Sequence, residues 1–309
     1  MTKTRICQEL FHSAPVVYCV LTGPAYTKPI HRCIISYPML QEVIVMNIQQ
    51  IRSATLRITI GNTTFLIDPW LADTGTAGSF RDWGGNQPLT ASQAAIPMPM
   101  KPLPCPKSTI LSYVDACIIT HIHPDHIDVD MTCHTVGAPL PKHLPVFVQN
   151  EADAAVLTQS GFTDVRLLSP DPLSFSSITL RRTPGRHGTN QPSGISSGVL
   201  FQAPGEKTLY LTGDTIWYDG TAQVVSTYQP DIIIANTGAA TLQNCGRLIM
   251  DTGDLLAMHH ALPTAQIIAT HLDSVPHNLF TRRILQEQLE LAGLPHTIYI
   301  PADGETLTF

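Results

Sequence analysis

Apolar and polar positions along the chain predict short strands alternating with helices from about residue 46 onward. Residues 54–60 and 63–67 alternate in the manner of half-buried strands, and Gly61 and Asn62 between them predict a β-hairpin turn. The short apolar run at 116–119 has the length of a buried strand. We therefore expect the first part of the domain to be built on a sheet.

The second half of the chain repeats this alternation. Strands are predicted at 146–149, 178–183, 199–202, 208–211 and 231–235. Helices are predicted at 151–160, 251–260 and 278–291. In the last helix we expect Asn278 to be the N-terminal cap and Leu279 and Leu291 to face inward. Strands and helices in alternation indicate the α/β class.

Residues 1–45 differ from the rest because they show no sustained helical or strand period. Basic residues before a short apolar stretch at 14–21 leave a signal peptide open, although Pro15 weakens that interpretation. Alternatively, Met46 is the natural start. We expect an extension that is disordered or non-native, followed by one functional domain over 46–309.

Composition favours an enzyme-sized globular domain over a nucleic-acid-binding protein. The 309 residues are 43% hydrophobic, which is enough to bury a full core. A net charge of −6, with only 18 Lys plus Arg, leaves no basic excess for nucleic acid. No apolar run reaches the roughly 18 residues of a membrane span. Seven cysteines without a C-x-x-C pair imply no disulfide framework, so we expect a cytoplasmic protein.

The stretch from Thr120 to Asp128 is the strongest chemical signal in the chain. It holds three imidazoles and two carboxylates directly after the predicted strand at 116–119. Neutral imidazole and carboxylate groups are suitable ligands for zinc, manganese or iron. His121 and His123 lie two residues apart and point to the same side of an extended chain, so they can bind one ion together.

Pro124 suits the opening of a helix, so the chain is expected to turn there. The turn would send Asp125 and His126 toward a neighbouring position, and one loop could then supply two metal sites. Cys133 and His134 follow shortly afterwards. We expect a buried thiol and a helix-surface imidazole at these two positions rather than ligands.

The H-x-H-x-D-H pattern after a strand resembles the metallo-β-lactamase superfamily of hydrolases, and the resemblance runs from about residue 46 to residue 309. It implies a four-layer αββα sandwich with the metals at one edge of two sheets. The implied ligands are His121, His123 and His187 for one ion, Asp125, His126 and His271 for the other, and Asp214 between them. His277 lies in the same loop as His271 and could compete with it.

The resemblance also implies residues that support the ligands or contact the substrate. Asp68, which follows a predicted strand, would orient a ligand from behind. Asp128 is expected to accept a hydrogen bond behind the ligands or to cap a following helix. Segments 271–278 and 301–307 resemble the branch that includes L-ascorbate-6-phosphate lactonase. In that branch the candidate substrate contacts are His277, Asn278, Asn236 and Arg186.

The segment 72–108 lacks periodicity and is crowded with Gly, Pro and Ser. A stretch of this length inside a domain is usually functional or disordered. In the fold implied by the resemblance it would overhang the metals, which makes Phe80, Trp83 and residues 97–106 candidates for a lid. The alternative is a surface loop that packs only on itself.

By the resemblance, the cofactors are two divalent ions, with Zn²⁺ the first candidate and Mn²⁺ or Fe²⁺ as alternatives, and a hydroxide that bridges them attacks the substrate. Asp125 would hold this hydroxide in line and pass its proton to the leaving group. The positive charge of the ions favours a small anionic substrate, such as a phosphorylated lactone. A homo-oligomer is compatible with the sequence.

Three alternatives stay open at this point. A phosphodiesterase of the same fold would use the same ligands. A thiol dioxygenase of the same superfamily would hold a single iron on the first histidine set together with Asp214. A non-enzymatic binding protein should have lost at least one ligand, and none of the implied ligands is missing.

Overall fold

The computed structural model describes Gln8–Glu9, Val16–Val17, 46–294 and 298–309. The chain divides into two compact units, Met1–Val43 and Ile44–Phe309. In the first unit, strand β1 (Gln8–Glu9) pairs antiparallel with β2 (Val16–Val17). The predictions for residues 1–45, a disordered or non-native extension or a signal peptide, otherwise lie outside the described residues.

Strands and helices alternate through the second unit. The strands are β3 (Asn47–Arg52), β4 (Thr55–Ile60), β5 (Thr63–Ile67), β6 (Ala116–Ile119), β7 (Val129–Asp130), β8 (Thr135–Val136), β9 (Val146–Val148), β10 (Val165–Leu167), β11 (Leu173–Phe175), β12 (Ile178–Pro184), β13 (Ser197–Gln202), β14 (Leu209–Leu211), β15 (Ile232–Asn236), β16 (Thr241–Leu242), β17 (Gly246–Arg247), β18 (Gln266–Thr270), β19 (Ile298–Tyr299) and β20 (Thr306–Thr308). The helices are α1 (Phe80–Trp83), α2 (Ala91–Ala94), α3 (Lys107–Leu111), α4 (Glu151–Gln159), α5 (Asp219–Tyr228), α6 (Thr252–Ala261) and α7 (Arg282–Leu291).

Two seven-stranded sheets form the body of this unit. The first has the order β10-β9-β6-β5-β4-β3-β20, and the second has the order β11-β12-β13-β14-β15-β18-β19. In the first sheet β5, β6, β9 and β10 are mutually parallel, and in the second β14, β15, β18 and β19 are. Because parallel strands end at the same edge of a sheet, the loops that follow them are brought close together.

The two sheets pack face to face over a shared apolar core. Phe65 from the first sheet meets Phe201 from the second, with ring centroids 5.5 Å apart. Leu157 of α4 covers the outer face of the first sheet, while Leu255 of α6 and Leu285 of α7 cover the second. Burial of each such side chain contributes about 1.5–3 kcal/mol. The predicted four-layer αββα sandwich is confirmed.

Two local predictions are wrong. Helix α7 begins after Thr281, whose hydroxyl accepts from the amide of Ile284, and not at Asn278. Leu279 and Leu291, which were expected to face inward, are 44% and 83% exposed. The pattern of polar and apolar residues correctly predicted a helix here, but the predicted start was three residues too early.

The chain after Pro124 forms a turn and not a helix. The amides of His126 and Ile127 both donate to the carbonyl of His123, at 3.0 and 3.2 Å, and the short hairpin of β7 and β8 follows. Cys133 is exposed in this hairpin, so the expectation of a buried thiol beside a helix is wrong. The turn nevertheless reverses the chain as predicted.

The segment 72–108 packs against other loops and is hydrogen-bonded to one of them, so it does not pack only on itself. Phe80 and Met98 lie in an apolar cluster with Leu242 and Val275. The amide of Met100 also donates to the carbonyl of Ser274 at 2.8 Å. The segment therefore reaches the loop that follows β18.

Among the described residues, no helix combines the length and apolar character needed to cross a membrane.

Candidate metal centre

Five strands deliver polar side chains to one edge of the sandwich. In the first sheet, β5 leads to Asp68 and β6 leads to His121; in the second sheet, β12, β14 and β18 lead to His187, Asp214 and His271. All five side chains are at least 95% buried. Asp68 and His271 have positive φ angles of 41° and 63°, a conformation that costs energy and is found where a side chain must be aimed at a functional site.

The seven predicted ligands converge in three overlapping groups whose ligand atoms lie within 4.8 Å of one another. The groups are His121, His123 and His187; His121, His126 and Asp214; and Asp125, His126 and His271. This arrangement places Asp214 between the two predicted sets. The His/Asp clusters are able to bind metal ions.

Hydrogen bonds made by Nδ1, the ring nitrogen that points away from the cluster, set the tautomers of three histidines. The Nδ1 of His126 donates to Asp68 Oδ2 at 2.9 Å, and the Nδ1 of His187 donates to the carbonyl of Leu248 at 3.3 Å. The Nδ1 of His121 lies 3.2 Å from the Thr120 hydroxyl, which already donates to Asp68 and so must accept here. In each of these rings Nε2 carries a free lone pair that faces the cluster.

Distances between the inner atoms test whether a metal fits. Ligands bound about 2.0–2.1 Å from a tetrahedral zinc are separated by about 3.3–3.4 Å. The corresponding distances are 2.9 Å from His121 Nε2 to His123 Nδ1, 3.1 Å from His126 Nε2 to His271 Nε2, and 3.3 Å from His126 Nε2 to Asp214 Oδ2. The buried Nε2 of His187 has no hydrogen-bond partner among the described residues. The donor set therefore fits divalent ions.

Asp68 connects the first sheet to the ligands. Its carboxylate accepts from the amide and the hydroxyl of Thr120, both at 2.8 Å, in addition to His126 Nδ1. Three hydrogen bonds hold this carboxylate, so it can fix the orientation of His126 as the sequence suggested.

Burial and neighbouring charges favour a positive charge at His126 and neutral rings at His123 and His277. Burial lowers the pKa of His126, but the Asp214 and Asp68 carboxylates outweigh it and raise this pKa well above the usual value. A divalent ion can supply that positive charge in place of a proton. Burial lowers the pKa values of His123 and His277 to about 4, so both rings are neutral near pH 7.

The remaining predicted residues are placed differently. Asp128 accepts from the amide of Leu71 at 2.9 Å, and no candidate ligand contacts it. Because β7 follows Asp128, its alternative role as a helix cap is wrong. Arg186 is exposed, and its guanidinium donates to the carbonyl of Thr189 at 3.2 Å.

His277 and Asn236 both reach the cluster. His277 is 5% exposed, has Asp125 and His271 as electrostatic neighbours, and does not belong to any of the three ligand groups. Its ring and that of Phe80, in the candidate lid segment 72–108, meet edge to face with centroids 4.9 Å apart. Asn236 instead donates through Nδ2 to Asp214 Oδ1 at 2.6 Å, so it touches a predicted ligand.

Sequence reasoning missed some groups that support the site. The hydroxyl of Ser53 lies 3.5 Å from His271 Nδ1, and the amide of Asn278 donates to the carbonyl of His271 at 2.7 Å. Gly194 approaches His123 so closely that an added Cβ would lie 3.4 Å from Nε2. No sequence motif marks these groups, because each one acts over a long separation along the chain or through the backbone.

Comparison with known proteins assigns the fold and the cluster to one class. The sequence profile described as "Beta-lactamase superfamily domain" matches residues 63–272, more than half of the chain. The chain therefore belongs to the beta-lactamase superfamily. The metallo-β-lactamase type of sandwich predicted from the sequence is confirmed.

Individual relatives match nearly all of their own length. The UPF0173 protein YddR of Bacillus subtilis (strain 168) is 40% identical over 268 residues, which is 85% of this chain and 100% of that protein. The crystal structure of "a possible metal-dependent hydrolase" from Veillonella parvula DSM 2008 is 38% identical, covers 86% of this chain and 100% of that one, and has a TM-score of 0.76. The crystal structure of isothiocyanate hydrolase from Delia radicum gut bacteria is 35% identical, covers 85% and 99%, and has a TM-score of 0.74.

Proposed function

We propose that the chain is a hydrolase that depends on two divalent metal ions, with Zn²⁺ the first candidate and Mn²⁺ or Fe²⁺ as alternatives. The observation that carries the proposal is the convergence of seven ligand side chains in three groups, six of them buried and His123 half-buried. One ion would be held by His121, His123 and His187, the other by Asp125, His126 and His271, and Asp214 would contact both. The 38% identical structure from Veillonella parvula supports the same activity class.

The chain's own residues prepare the site for hydrolysis. When bound, the two ions would lower the pKa of a shared water and so supply a nucleophile near pH 7. Asp68 holds His126 in the tautomer whose Nε2 faces the cluster. Asp125, whose Oδ2 lies 3.5 Å from His271 Nε2, would take a proton from water and deliver it to the leaving group.

For the substrate, small uncharged electrophiles of the isothiocyanate class are our first choice. The support is the 35% identical isothiocyanate hydrolase, together with the charges around the cluster. The groups that act most strongly on the pKa values of Asp125 and Asp214 are histidines and, for Asp125, also Asp214; no Lys or Arg is among them. The neutral ring of His277 and the apolar edge of Phe80 would border such a substrate.

The reaction balances without any further reagent. The oxygen of one water adds to the central carbon of R–N=C=S, both water protons go to the nitrogen, and the carbon–nitrogen bond breaks. The products are the amine R–NH₂ and carbonyl sulfide. Asp125 would carry the proton from water to this nitrogen.

A small anionic substrate, such as the phosphorylated lactone suggested by the sequence, is the second candidate. Two divalent ions with two carboxylates leave a net charge of about +2, which attracts anions. Against it stands Arg186, the expected contact for the anionic group, which is exposed and engaged with Thr189. The net charge of −6 supports the further proposal that nucleic acid is not a partner, and seven cysteines without a C-x-x-C pair support the proposal that the protein is cytoplasmic.

Metal analysis and a substrate panel test these proposals. Protein purified without added metal should contain about two divalent ions per chain and should release amine from phenyl isothiocyanate faster than it opens a phosphorylated lactone. Activity only on bis(p-nitrophenyl) phosphate would replace this assignment with a phosphodiesterase. One iron per chain with thiol-dependent oxygen uptake would replace it with a dioxygenase. Full metal content without turnover of any of these substrates would favour the non-enzymatic binding protein over an enzyme.

The variant Asp125→Asn tests the proton carrier. The amide cannot accept a proton from water, so kcat should fall at least about a hundredfold. Asp130→Asn, an exposed position in the hairpin that follows, is the matched control and should retain full activity. Survival of activity in Asp125→Asn at normal metal content would contradict the mechanism.

A further inference from the structure

Asn236 lies between two strands that deliver candidate ligands. It is the last residue of β15, which pairs on one side with β14, leading to Asp214, and on the other with β18, leading to His271. Its register partner is Thr270, the residue before His271. The side chain is 1% exposed, so every contact it makes is inside the protein.

The amide of Asn236 distinguishes the two oxygens of Asp214. Nδ2 donates to Oδ1 at 2.6 Å, and Oδ1 also lies 3.9 Å from His271 Nε2. The other oxygen, Oδ2, faces three imidazole nitrogens: His121 Nε2 at 3.9 Å, His126 Nε2 at 3.3 Å and His187 Nε2 at 3.6 Å. The donor on Oδ1 occupies lone-pair density that a cation would otherwise use. Oδ2 is therefore left as the oxygen that both ligand sets share.

We propose that Asn236 is a positioning residue that engages Oδ1 of Asp214 and so leaves Oδ2 available to the metal ions that the cluster would hold. This inference rests on the two-metal function proposed above. The opposite amide orientation would bring Oδ1 of Asn236 against the carboxylate, placing two acceptors together, so Nδ2 is the atom that faces Asp214.

The side chain of Asn236 has one buried polar atom that is left unpaired within the described part of the chain. Oδ1 of Asn236 is buried and has no hydrogen-bond partner among the described residues. A buried amide oxygen without a partner destabilises the folded state, whereas an apolar side chain of similar size would not. The contact of Nδ2 with Asp214 is thus the interaction for which this side chain is suited.

The test is metal affinity in variants that lose the donor. Asn236→Leu keeps the volume and Asn236→Ala removes it, while Asn244→Ala, in the exposed turn between β16 and β17, is the matched control. Zn²⁺ affinity is measured by competition with a chromophoric chelator, stoichiometry by elemental analysis, and stability by thermal unfolding of the metal-free proteins. We expect a tenfold to hundredfold loss of Zn²⁺ affinity in both site variants. Because Asn236→Leu leaves the buried Asp214 Oδ1 without its donor, we expect a lower Tm for the metal-free variant, and the deciding measurement is the Zn²⁺ affinity of the folded protein.

Several outcomes would overturn the inference. Zn²⁺ affinities of both variants within twofold of wild type would show that Asp214 does not need the amide. Failure of both variants to fold would show a structural role instead. If wild type itself bound no Zn²⁺, Mn²⁺ or Fe²⁺, the proposed function would fail first, whereas wild-type binding with unchanged variants would remove only the role of Asn236.

Discussion

Replacing Asp68 by Asn tests whether this carboxylate sets the metal-binding tautomer of His126. The carboxylate accepts three hydrogen bonds: from the Thr120 amide on Oδ1, and from the Thr120 hydroxyl and His126 Nδ1 on Oδ2. Asn has the same shape but replaces one acceptor oxygen with an NH₂ donor. One of these hydrogen-bonding positions must therefore become unfavourable.

Both orientations of the new amide weaken the site. With NH₂ in the Oδ1 position it faces the Thr120 amide, donor against donor. With NH₂ in the Oδ2 position it faces His126 Nδ1 and makes that atom an acceptor, so the proton moves to Nε2, which faces the metal cluster. A buried unsatisfied group costs about 1–3 kcal/mol. Loss of a partner behind a metal ligand typically lowers metal affinity about 10- to 100-fold.

The assay combines chelator competition with chemical unfolding of the metal-free protein. For Asp68→Asn we expect Zn²⁺ affinity to fall 10- to 100-fold and the free energy of unfolding to fall by about 1–3 kcal/mol. Asp115→Asn is the matched control, because Asp115 accepts a single bond, from the Thr64 amide at 2.8 Å, which the Asn oxygen can still accept. Wild-type Zn²⁺ affinity in folded Asp68→Asn would refute the tautomer argument.

Three further predictions concern stability. Arg52 is fully buried and donates to two backbone carbonyls, including that of Trp70 at 2.7 Å. Arg52→Met should therefore lower the free energy of unfolding by about 1–3 kcal/mol for each carbonyl that loses its donor. An unchanged urea midpoint would contradict this prediction. Burial lowers the pKa of His277 from 6.5 to about 4, so as pH falls from 6.5 to 4 only the unfolded chain takes up this proton and the metal-free protein loses up to about 3 kcal/mol. His277→Asn should lose less stability over the same range, and equal acid sensitivity would show that the pKa shift is absent. Gly213 has φ 63°, and an added Cβ would lie 2.3 Å from the Ser197 carbonyl oxygen. Gly213→Ala should therefore lower Tm and metal affinity together. A wild-type Tm in this variant would count against the observed turn.

The layers of the fold were predictable because they depend on local patterns. The runs 116–119 and 232–235 are apolar throughout, as expected for strands covered on both faces, and the structure places them among the inner strands of the two sheets. The start of α7 was not predictable in the same way. Asn278 is a good cap by residue type, but its side-chain Nδ2 donates to the His271 carbonyl and its Oδ1 accepts from no helix amide among the described residues, and Thr281 caps the helix instead.

Candidate ligands were predictable because their residue types and order form a known pattern, whereas the groups that orient them were not. The carbonyl of Leu248 fixes the tautomer of His187, and any residue could supply a carbonyl. Asn236 was expected to contact substrate, but its position beside Asp214 depends on the pairing of β14 with β15. Contacts of this kind follow from strand register, which the sequence of one strand does not reveal.

The division of the ligands between the sheets explains why the first motif could not define the site alone. Residues 121–126 follow β6 in the first sheet, and His187, Asp214 and His271 follow strands of the second. Each of the three ligand groups contains members from both sheets. Neither sheet can complete a group by itself, so a metal ion bound here joins the two halves of the sandwich and binds the folded state only. At a metal concentration 100 times Kd this linkage stabilises the fold by about 2.7 kcal/mol per site.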